Sequence, residues 1–308
     1  MKHRAYDGPQ DVARLQAFAA GQIRAYGRVG LMHPGDIPHR IFNALRRDDP
    51  DRLVHLWEDS AGDIVAWTLL DPDGAGFDLQ ICSAVRDIEP DLERKLIVWS
   101  EEELLELMTS RESVAPDIET EAFVDDVPRT TLLARMGWVA REVEAIGLSR
   151  RVLTGVPSPE LPPGYRLRRV HGIEEAGSVS ELHSAAFGSS WTPDLYRRVM
   201  ESPGYEADRE IVVEAPDGTL AAFCIIWPDE LNRIGLFEPV AVHPGHRRRG
   251  LGRAVMRAGM QVMTGWGMEW AEVMYEFANP GADPLYRGEG FEPLWKVTLY
   301  RKPVSRGS

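Results

Sequence analysis

The stretch Phe237-Glu-Pro-Val-Ala-Val-His-Pro-Gly-His-Arg-Arg-Arg-Gly-Leu-Gly-Arg-Ala254 contains an apolar strand, a basic turn with glycines and the beginning of a helix. Gly250 and Gly252 lack the Cβ atoms that would block close approach of the backbone to an anion, and the helix start presents unpaired N–H groups. Arginines and His246 at the rim suit phosphate oxygens. The stretch predicts a phosphate-binding turn, with a solvated basic turn as the alternative.

The residues around this stretch predict an α+β unit that begins after a linker. The segment Gly155–Gly164 has four prolines and two glycines, which exclude a helix and disfavour a paired strand. Thr192 is expected to cap the second helix that follows. The predicted elements are strand Tyr165–Val170, helices Ile173–Phe187 and Pro193–Met200, strands Glu210–Glu214, Leu220–Trp227 and Ile234–Val242, helix Gly252–Thr264, strand Trp270–Tyr275, a short helix near Pro284–Arg287 and strand Phe291–Tyr300.

Composition narrows the class of protein. The 308 residues carry a net charge of −13, which disfavours nucleic-acid and membrane-surface partners and tolerates an amine or cationic substrate. Cys82 and Cys224 each lie in an apolar run and are interpreted as buried thiols in a reducing compartment. No long apolar segment is present, so a cytoplasmic location is expected.

The stretch Phe237–Ala254 resembles the acyl-CoA-binding motif of the GNAT superfamily of N-acetyltransferases, with Arg247, Gly250 and Gly252 at its signature positions. The resemblance covers residues 160–302 and implies acetyl-CoA, or another acyl-CoA, as cosubstrate. It implies that the pantetheine arm pairs with the backbone of Val240, Ala241 and Val242, and that the pyrophosphate is held by the amides of Arg247, Arg248, Arg249, Gly250, Leu251, Gly252 and Arg253. The turn lacks the Gly-Lys-Ser/Thr of a nucleotide-binding loop, and no residues show zinc spacing, so neither a metal nor a redox cofactor is expected.

A second stretch, Asn279-Pro-Gly-Ala-Asp-Pro-Leu-Tyr-Arg-Gly-Glu-Gly-Phe291, is similar to the second GNAT signature. The resemblance implies that Tyr286 is the general acid beside the CoA sulfur and that Asn279 orients the pantetheine. The alternative for Tyr286 is core packing. Because Pro280 and Pro284 disfavour a helix, the helix is expected to begin at Asp283, with Asp283 as its cap.

The general base is expected to be Glu238, which precedes the phosphate turn. If the strand alternates regularly, Glu238 shares a face with Val240 and Val242, and burial would raise the pKa of its carboxyl group toward that of a useful base. An exposed strand glutamate is the alternative. Weaker candidates are Glu276, His243 and a chain of water molecules.

The first half of the chain repeats parts of the second half, which predicts a tandem duplication. With Gly137 placed on Gly290, Leu133 falls under Tyr286 and Asp126 under Asn279. With Asp78 placed on Glu238, the acidic stretch 87–92, which includes Pro90, falls under the phosphate turn. We therefore expect a degenerate first domain that shapes the acceptor cleft or a subunit contact.

The predicted fold class is α+β, with two tandem GNAT-like domains that are each a mixed, mostly antiparallel sheet flanked by helices. The boundaries are a degenerate domain over 1–154, a linker over 155–164 and a catalytic domain over 165–308, a layout similar to that of mycothiol synthases. The predicted reaction is acetyl transfer from acetyl-CoA to a primary amine of a small molecule, in a ternary complex. Alternatives are an acyl-CoA sensor or scaffold without turnover, and an acyltransferase whose donor and partner is an acyl carrier protein; a homodimer also stays open.

Overall fold

The computed structural model describes residues 1–27, 31–44, 49–89, 91–141 and 146–304. The strands are β1 (Lys2–Ala5), β2 (Val54–Glu58), β3 (Ile64–Asp71), β4 (Gly76–Ile81), β5 (Asp117–Phe123), β6 (Val139–Ala140), β7 (Ile146–Val152), β8 (Arg166–Arg169), β9 (Glu210–Glu214), β10 (Leu220–Asp229), β11 (Ile234–Val242), β12 (Trp270–Glu276) and β13 (Glu292–Pro303). The helices are α1 (Pro9–Tyr26), α2 (Asp36–Pro38), α3 (Ser83–Ile88), α4 (Leu92–Ser110), α5 (Val127–Arg135), α6 (Ala176–Phe187), α7 (Pro193–Met200), α8 (Leu251–Gly265) and α9 (Ala282–Gly288). A π-helical turn, His39–Ala44, continues directly from α2.

The element order predicted for the second half is confirmed. Helix α7 begins as expected, because the Thr192 hydroxyl accepts the N–H of Leu195 at 3.2 Å and Pro193 occupies the first helical position. The prediction for α9 was wrong in one respect. The helix begins at Ala282 because the Asn279 side-chain oxygen accepts the N–H groups of Gly281 and Ala282, so Asp283 lies inside the helix and does not cap it.

The strands described here form one continuous, mostly antiparallel sheet. Its order is β1-β2-β3-β4-β5-β13-β7-β12-β11-β10-β9-β8, and β6 pairs with β13 off this path. Parallel pairing occurs between β4 and β5 and between β11 and β12. The mixed, mostly antiparallel sheet with flanking helices agrees with the predicted fold class.

The two halves exchange strands at the centre of this sheet. Strand β7, from the first half, lies between β12 and β13 of the second half. Strand β13 pairs with β7 through residues Glu292–Val297 and with β5 of the first half through residues Val297–Pro303. Each half is thus completed by a strand from the other, while the boundaries at 154 and 165 stay a prediction about the linear chain.

The core of the second half lies on both faces of its sheet. One face packs Cys224, Ile226 and Phe237 against α8. The other packs Phe223 and Ile225 against α6 and α7. A separate cluster fills the first half, where α1 and α4 cover β2 to β5. No helix in the described ranges is long and apolar enough to cross a membrane.

Candidate active site

The predicted phosphate turn has the geometry of an anion site. Gly250 adopts φ +81°, a left-handed conformation that favours glycine, and it immediately precedes α8. Arg248 also has a positive φ, +62°. Within the described chain, the N–H groups of residues 248–253 have no hydrogen-bond acceptor from the protein. A run of unpaired amides at the positive end of a 15-residue helix favours a bound anion.

Arg247 has a different role from its neighbours. Its amide N–H donates to the Pro244 carbonyl at 3.4 Å, and its guanidinium donates to the carbonyls of Val242 and Ala186. The side chain therefore ties the turn to the end of α6. The side chains of Arg248 and Arg249 are exposed, and Arg253 pairs with Glu289 at 3.0 Å.

The predicted pantetheine-binding edge follows from the way β11 and β12 separate. Their ladder ends at the pair Phe237–Val273, although β11 continues to Val242 and β12 to Glu276. On its other side, β11 stays paired with β10 as far as Val242. The edge of Val240, Ala241 and Val242 that faces β12 is thus open, as a pairing arm requires. Gly252 is close to this edge, since a Cβ there would lie 3.3 Å from a Val242 methyl and 3.2 Å from a Leu285 methyl.

Tyr286 lies on α9, which packs against β12. Its side chain is buried, and its ring packs against those of Tyr275 at 4.7 Å and Phe291 at 6.1 Å. Burial raises the pKa of its hydroxyl well above the ordinary value, and the negative charge of Glu238 raises it further. The phenol therefore carries its proton at neutral pH, as a general acid must. Asn279 is exposed and caps α9.

Glu238 lies at an irregularity of β11 and not in a regular strand. The register with β10 shifts between Cys224 and Ile226, so that two residues of β11 lie opposite one of β10. Phe237 packs in the same core as Val240 and Val242, which regular alternation would not allow. The expectation that Glu238 shares a face with Val240 and Val242 through regular alternation was wrong, because a β-bulge redirects side chains locally.

The Glu238 carboxylate instead faces residues of the first half. Its Oε1 lies 3.5 Å from Nε2 of His39, and its side chain is 26% exposed. Burial raises the pKa of Glu238 to about 8, the negative charge of Asp36 raises it as well, and the positive charge of Arg40 opposes them. The raised pKa agrees with the property expected of a base at this position.

Arg40 connects Glu238 to carboxylates of the first half. Its guanidinium lies 3.1 Å from Asp78, 3.4 Å from Asp36 and 3.6 Å from Glu121. The charge of Asp78 holds the pKa of Arg40 well above its ordinary value. Burial raises the pKa of Glu121 to about 7, and a cavity of about 170 Å³ opens beside Arg40, Asp78 and Glu121. These carboxylates and the cavity thus lie mainly in the first half, and the contact between His39 and Glu238 joins them to the second half.

The sequence alone did not predict the contribution of the segment 36–40. The repeats that relate the first half to the second lie elsewhere in the chain. No spacing or composition marks Asp36-Ile-Pro-His-Arg40 as functional, and only its approach to β11 in the folded chain brings it to Glu238. Of the weaker base candidates, Glu276 is exposed, and the His243 ring accepts the N–H of Gly245 as a turn residue.

Comparison with known proteins identifies similar sequences. Residues 177–291 match the model of the acetyltransferase (GNAT) family. The chain is similar to the mycothiol acetyltransferase of Kineococcus radiotolerans, with 32% identity over 169 residues, which are 53% of this chain and 54% of that protein. It is also similar to the mycothiol acetyltransferase of Jonesia denitrificans, with 24% identity over 84% of this chain and 83% of that protein.

The fold has a full-length counterpart among solved structures. A tandem GNAT protein from the clavulanic acid biosynthesis pathway superimposes with a TM-score of 0.68 and 15% identity, and the match covers 100% of this chain and 99% of that one. The similarity supports the tandem arrangement of the fold. The match to the Kineococcus protein spans about half of that protein's length.

Proposed function

Because residues 177–291 form a GNAT-family domain within a chain of tandem GNAT fold, we propose that the protein transfers an acetyl group from acetyl-CoA to a primary amine of a small molecule. The observation that carries the proposal is the order of three features on β11 and directly after it: the Glu238 carboxylate, the open edge at Val240–Val242 and the unpaired amides of residues 248–253. This order supports a base, a channel for an extended arm and a phosphate-binding turn in sequence.

In the proposed reaction, the amides of residues 248–253 hold the pyrophosphate, and the edge at Val240–Val242 holds the pantetheine. The Glu238 carboxylate takes a proton from the acceptor, and the neutral nitrogen attacks the thioester carbonyl carbon. The C–N bond forms and the C–S bond breaks. The Tyr286 hydroxyl supplies the proton that converts the leaving thiolate to free CoA, and the resulting phenolate regains a proton from the nitrogen, which loses its extra proton as the neutral amide forms. The raised pKa of Glu238 suits it to accept a proton near neutral pH.

The acceptor is a small amine that enters between the halves. The relatives are named for mycothiol acetylation, so the amine acceptor of that reaction is the first compound to assay. Asp36, Asp78 and Glu121 lie near Glu238 and outnumber their shared partner Arg40, so the carboxylates of the first half favour a cationic amine there.

Thiol release from acetyl-CoA in the presence of an amine panel tests this function. Tyr286→Phe is expected to lower kcat about 100-fold while the Kd for acetyl-CoA stays unchanged, because only proton transfer to the leaving group is lost. Tyr26→Phe, which alters an exposed tyrosine on α1, is the matched control. Tight acetyl-CoA binding without turnover on any amine would favour a sensor. Weak binding of free acetyl-CoA would favour a carrier-protein donor.

A further inference from the structure

We infer that His39, which belongs to the first half, is a positioning residue for the base Glu238 in the second half. The contact that carries the inference joins Nε2 of His39 to Oε1 of Glu238 at 3.5 Å across the boundary between the halves. The inference rests on the proposed acyl transfer and assigns the first half a part in it. The half that lacks the phosphate turn would then still be required for catalysis.

The chain around His39 is fixed against the strand that carries Glu238. The His33 ring contacts the Ile234 carbonyl at 3.2 Å and accepts the N–H of Gly35. Gly35 lies so close to Trp227 that a Cβ at this position would be 2.1 Å from the Trp227 Cβ. These contacts hold the residues just before α2 on β10 and β11, so His39 is presented to Glu238 by a rigid segment.

Trp227 fixes the other partner. Its indole N–H donates to the backbone carbonyl of Glu238 at 2.8 Å. The same tryptophan therefore contacts the segment that carries His39 and the residue that His39 faces. Both sides of the contact are set by one buried side chain, which is the kind of support that a catalytic carboxylate needs.

The protonation state of His39 determines what its ring can offer to Glu238. Burial lowers the pKa of His39 to about 4, so its imidazole is neutral at neutral pH and has a single N–H. When this proton is on Nε2, it lies beside the Glu238 carboxylate at an N···O distance of 3.5 Å, where its partial positive charge favours the ionised form that acts as a base. The other charged or titratable groups that face Glu238 are Asp36 and Arg40 from the first half and Tyr286 from α9.

Two substitutions of His39 test the inference. His39→Leu keeps much of the volume and removes the donor, whereas His39→Gln places an amide N–H near the position of Nε2. For His39→Leu we expect the rising limb of the pH profile of kcat/KM to move up by about one pH unit and kcat to fall about tenfold. His39→Gln is expected to stay within about threefold of the native kcat, and the Kd for acetyl-CoA is expected to be unchanged in both.

A measurement that needs no turnover accompanies the kinetics. In the full-length protein, the NMR shifts of the His39 ring should change with a midpoint near pH 8 as Glu238 ionises, and Glu238→Gln should abolish that change. A His39→Leu profile that coincides with the native one, or equal losses in the Leu and Gln variants, would overturn the role of His39. Absence of turnover in the native protein would instead overturn the acyl transfer itself, whatever the His39 ring reports.

Discussion

The two halves differ at the start of the long helix that follows strand β11 in the second half and helix α3 in the first half. In the second half, α8 begins Leu251-Gly-Arg253 and its first amides are unpaired. In the first half, α4 begins Leu92-Glu-Arg94. Glu93 is thus the second residue of α4, as Gly252 is the second residue of α8. A carboxylate near a helix N-terminus interacts favourably with the helix dipole, so α4 carries at its own start the kind of charge that α8 leaves to a bound anion.

That carboxylate belongs to a buried network of ion pairs. Glu93 is 5% exposed and accepts from Arg86 and from Arg129, each at 2.8 Å. Arg86 also donates to both oxygens of Asp126, at 3.0 and 2.9 Å, and Asp126 caps α5 as Asn279 caps α9. Paired charges of the first half therefore lie at the start of its own helix, although no described side chain caps α4. The degenerate domain stays a prediction. Pro90, which also entered that prediction, lies outside the described residues.

An open helix start in the second half thus contrasts with a helix start that carries internal ion pairs in the first half. The described residues leave the helix start of the second half unsatisfied, and this is the place that the proposed function assigns to the pyrophosphate. In the first half, Glu93 lies at the helix start, and the segment 36–40 of the same half faces Glu238. Four experiments would break or sharpen this contrast.

The largest effect is expected when the carboxylate of the first half is placed in the second. Gly252→Glu puts a negative charge beside the pyrophosphate position and a Cβ within 3.2 Å of Leu285. Like charges about 4 Å apart near a protein surface repel by about 4 kcal/mol, so the Kd for acetyl-CoA should rise about 1,000-fold by calorimetry. Gly177→Glu is the control, since Gly177 is the second residue of α6 and has open space around it. Unchanged affinity in Gly252→Glu would place the phosphates elsewhere.

The reciprocal change in the first half should affect stability and not binding. Glu93→Gln leaves the nearly buried Arg129 and its partner Arg86 without their common carboxylate. Breaking a buried ion pair from one side costs about 3 kcal/mol of unfolding free energy, which urea denaturation would measure. The Kd for acetyl-CoA should not change. Glu102→Gln, at an exposed position of α4, is the control and should leave the midpoint in place.

A third experiment measures how the unfolding free energy depends on pH and compares the contributions of one carboxyl group from each half, Glu121 and Glu238. Burial raises the pKa of Glu121 to about 7 and that of Glu238 to about 8. Between pH 7 and 9 the unfolded glutamates are already ionised while the folded ones still hold protons, so the unfolding free energy falls as pH rises. The comparison starts at pH 7 because the lowered pKa of His39 has the opposite effect at lower pH. Below about pH 6.5 the unfolded histidine binds a proton that the folded one does not, so the unfolding free energy rises with pH there.

The expected loss is about 2 kcal/mol from pH 7 to 9, mostly from Glu238, because Glu121 is already half titrated at pH 7. Glu238→Gln should remove the larger share of the slope and abolish turnover. Glu121→Gln should remove the smaller share and leave the chemical step intact. A stability that does not depend on pH over this range in the native protein would contradict the raised pKa values.

Much of this architecture could be predicted from the sequence, because the responsible signals are local. Thr192 and Pro193 mark the start of α7, and the glycines of residues 250–252 mark the turn before α8. The strand exchange between β7 and β13 could not be predicted. Either strand could have paired within its own half, and only the packing of the whole sheet selects between the two pairings.

The candidate site also has a part that the sequence predicts and a part that only the folded structure reveals. The residues of the two signatures are contiguous in the sequence, so their spacing was visible. The bulge at Glu238 and the approach of His39 depend on contacts between residues about 200 positions apart, for which the sequence has no periodic signal. The resemblance to a family thus predicted the cosubstrate-binding side of the site, whereas the acceptor side required the folded structure.

The smallest effect is expected from a matched pair of exposed arginines, each the third residue of its helix. Arg253 on α8 is 53% exposed on its side chain and lies beside the phosphate turn, and Arg94 on α4 is 48% exposed. Arg253→Gln should raise the Kd for acetyl-CoA about fivefold at low salt, and the effect should shrink as ionic strength rises, because exposed charges are screened. Arg94→Gln should leave the Kd unchanged at every salt concentration. If Arg94→Gln weakened binding as much as Arg253→Gln did, acetyl-CoA would also bind the first half, and the contrast between the two helix starts would be refuted.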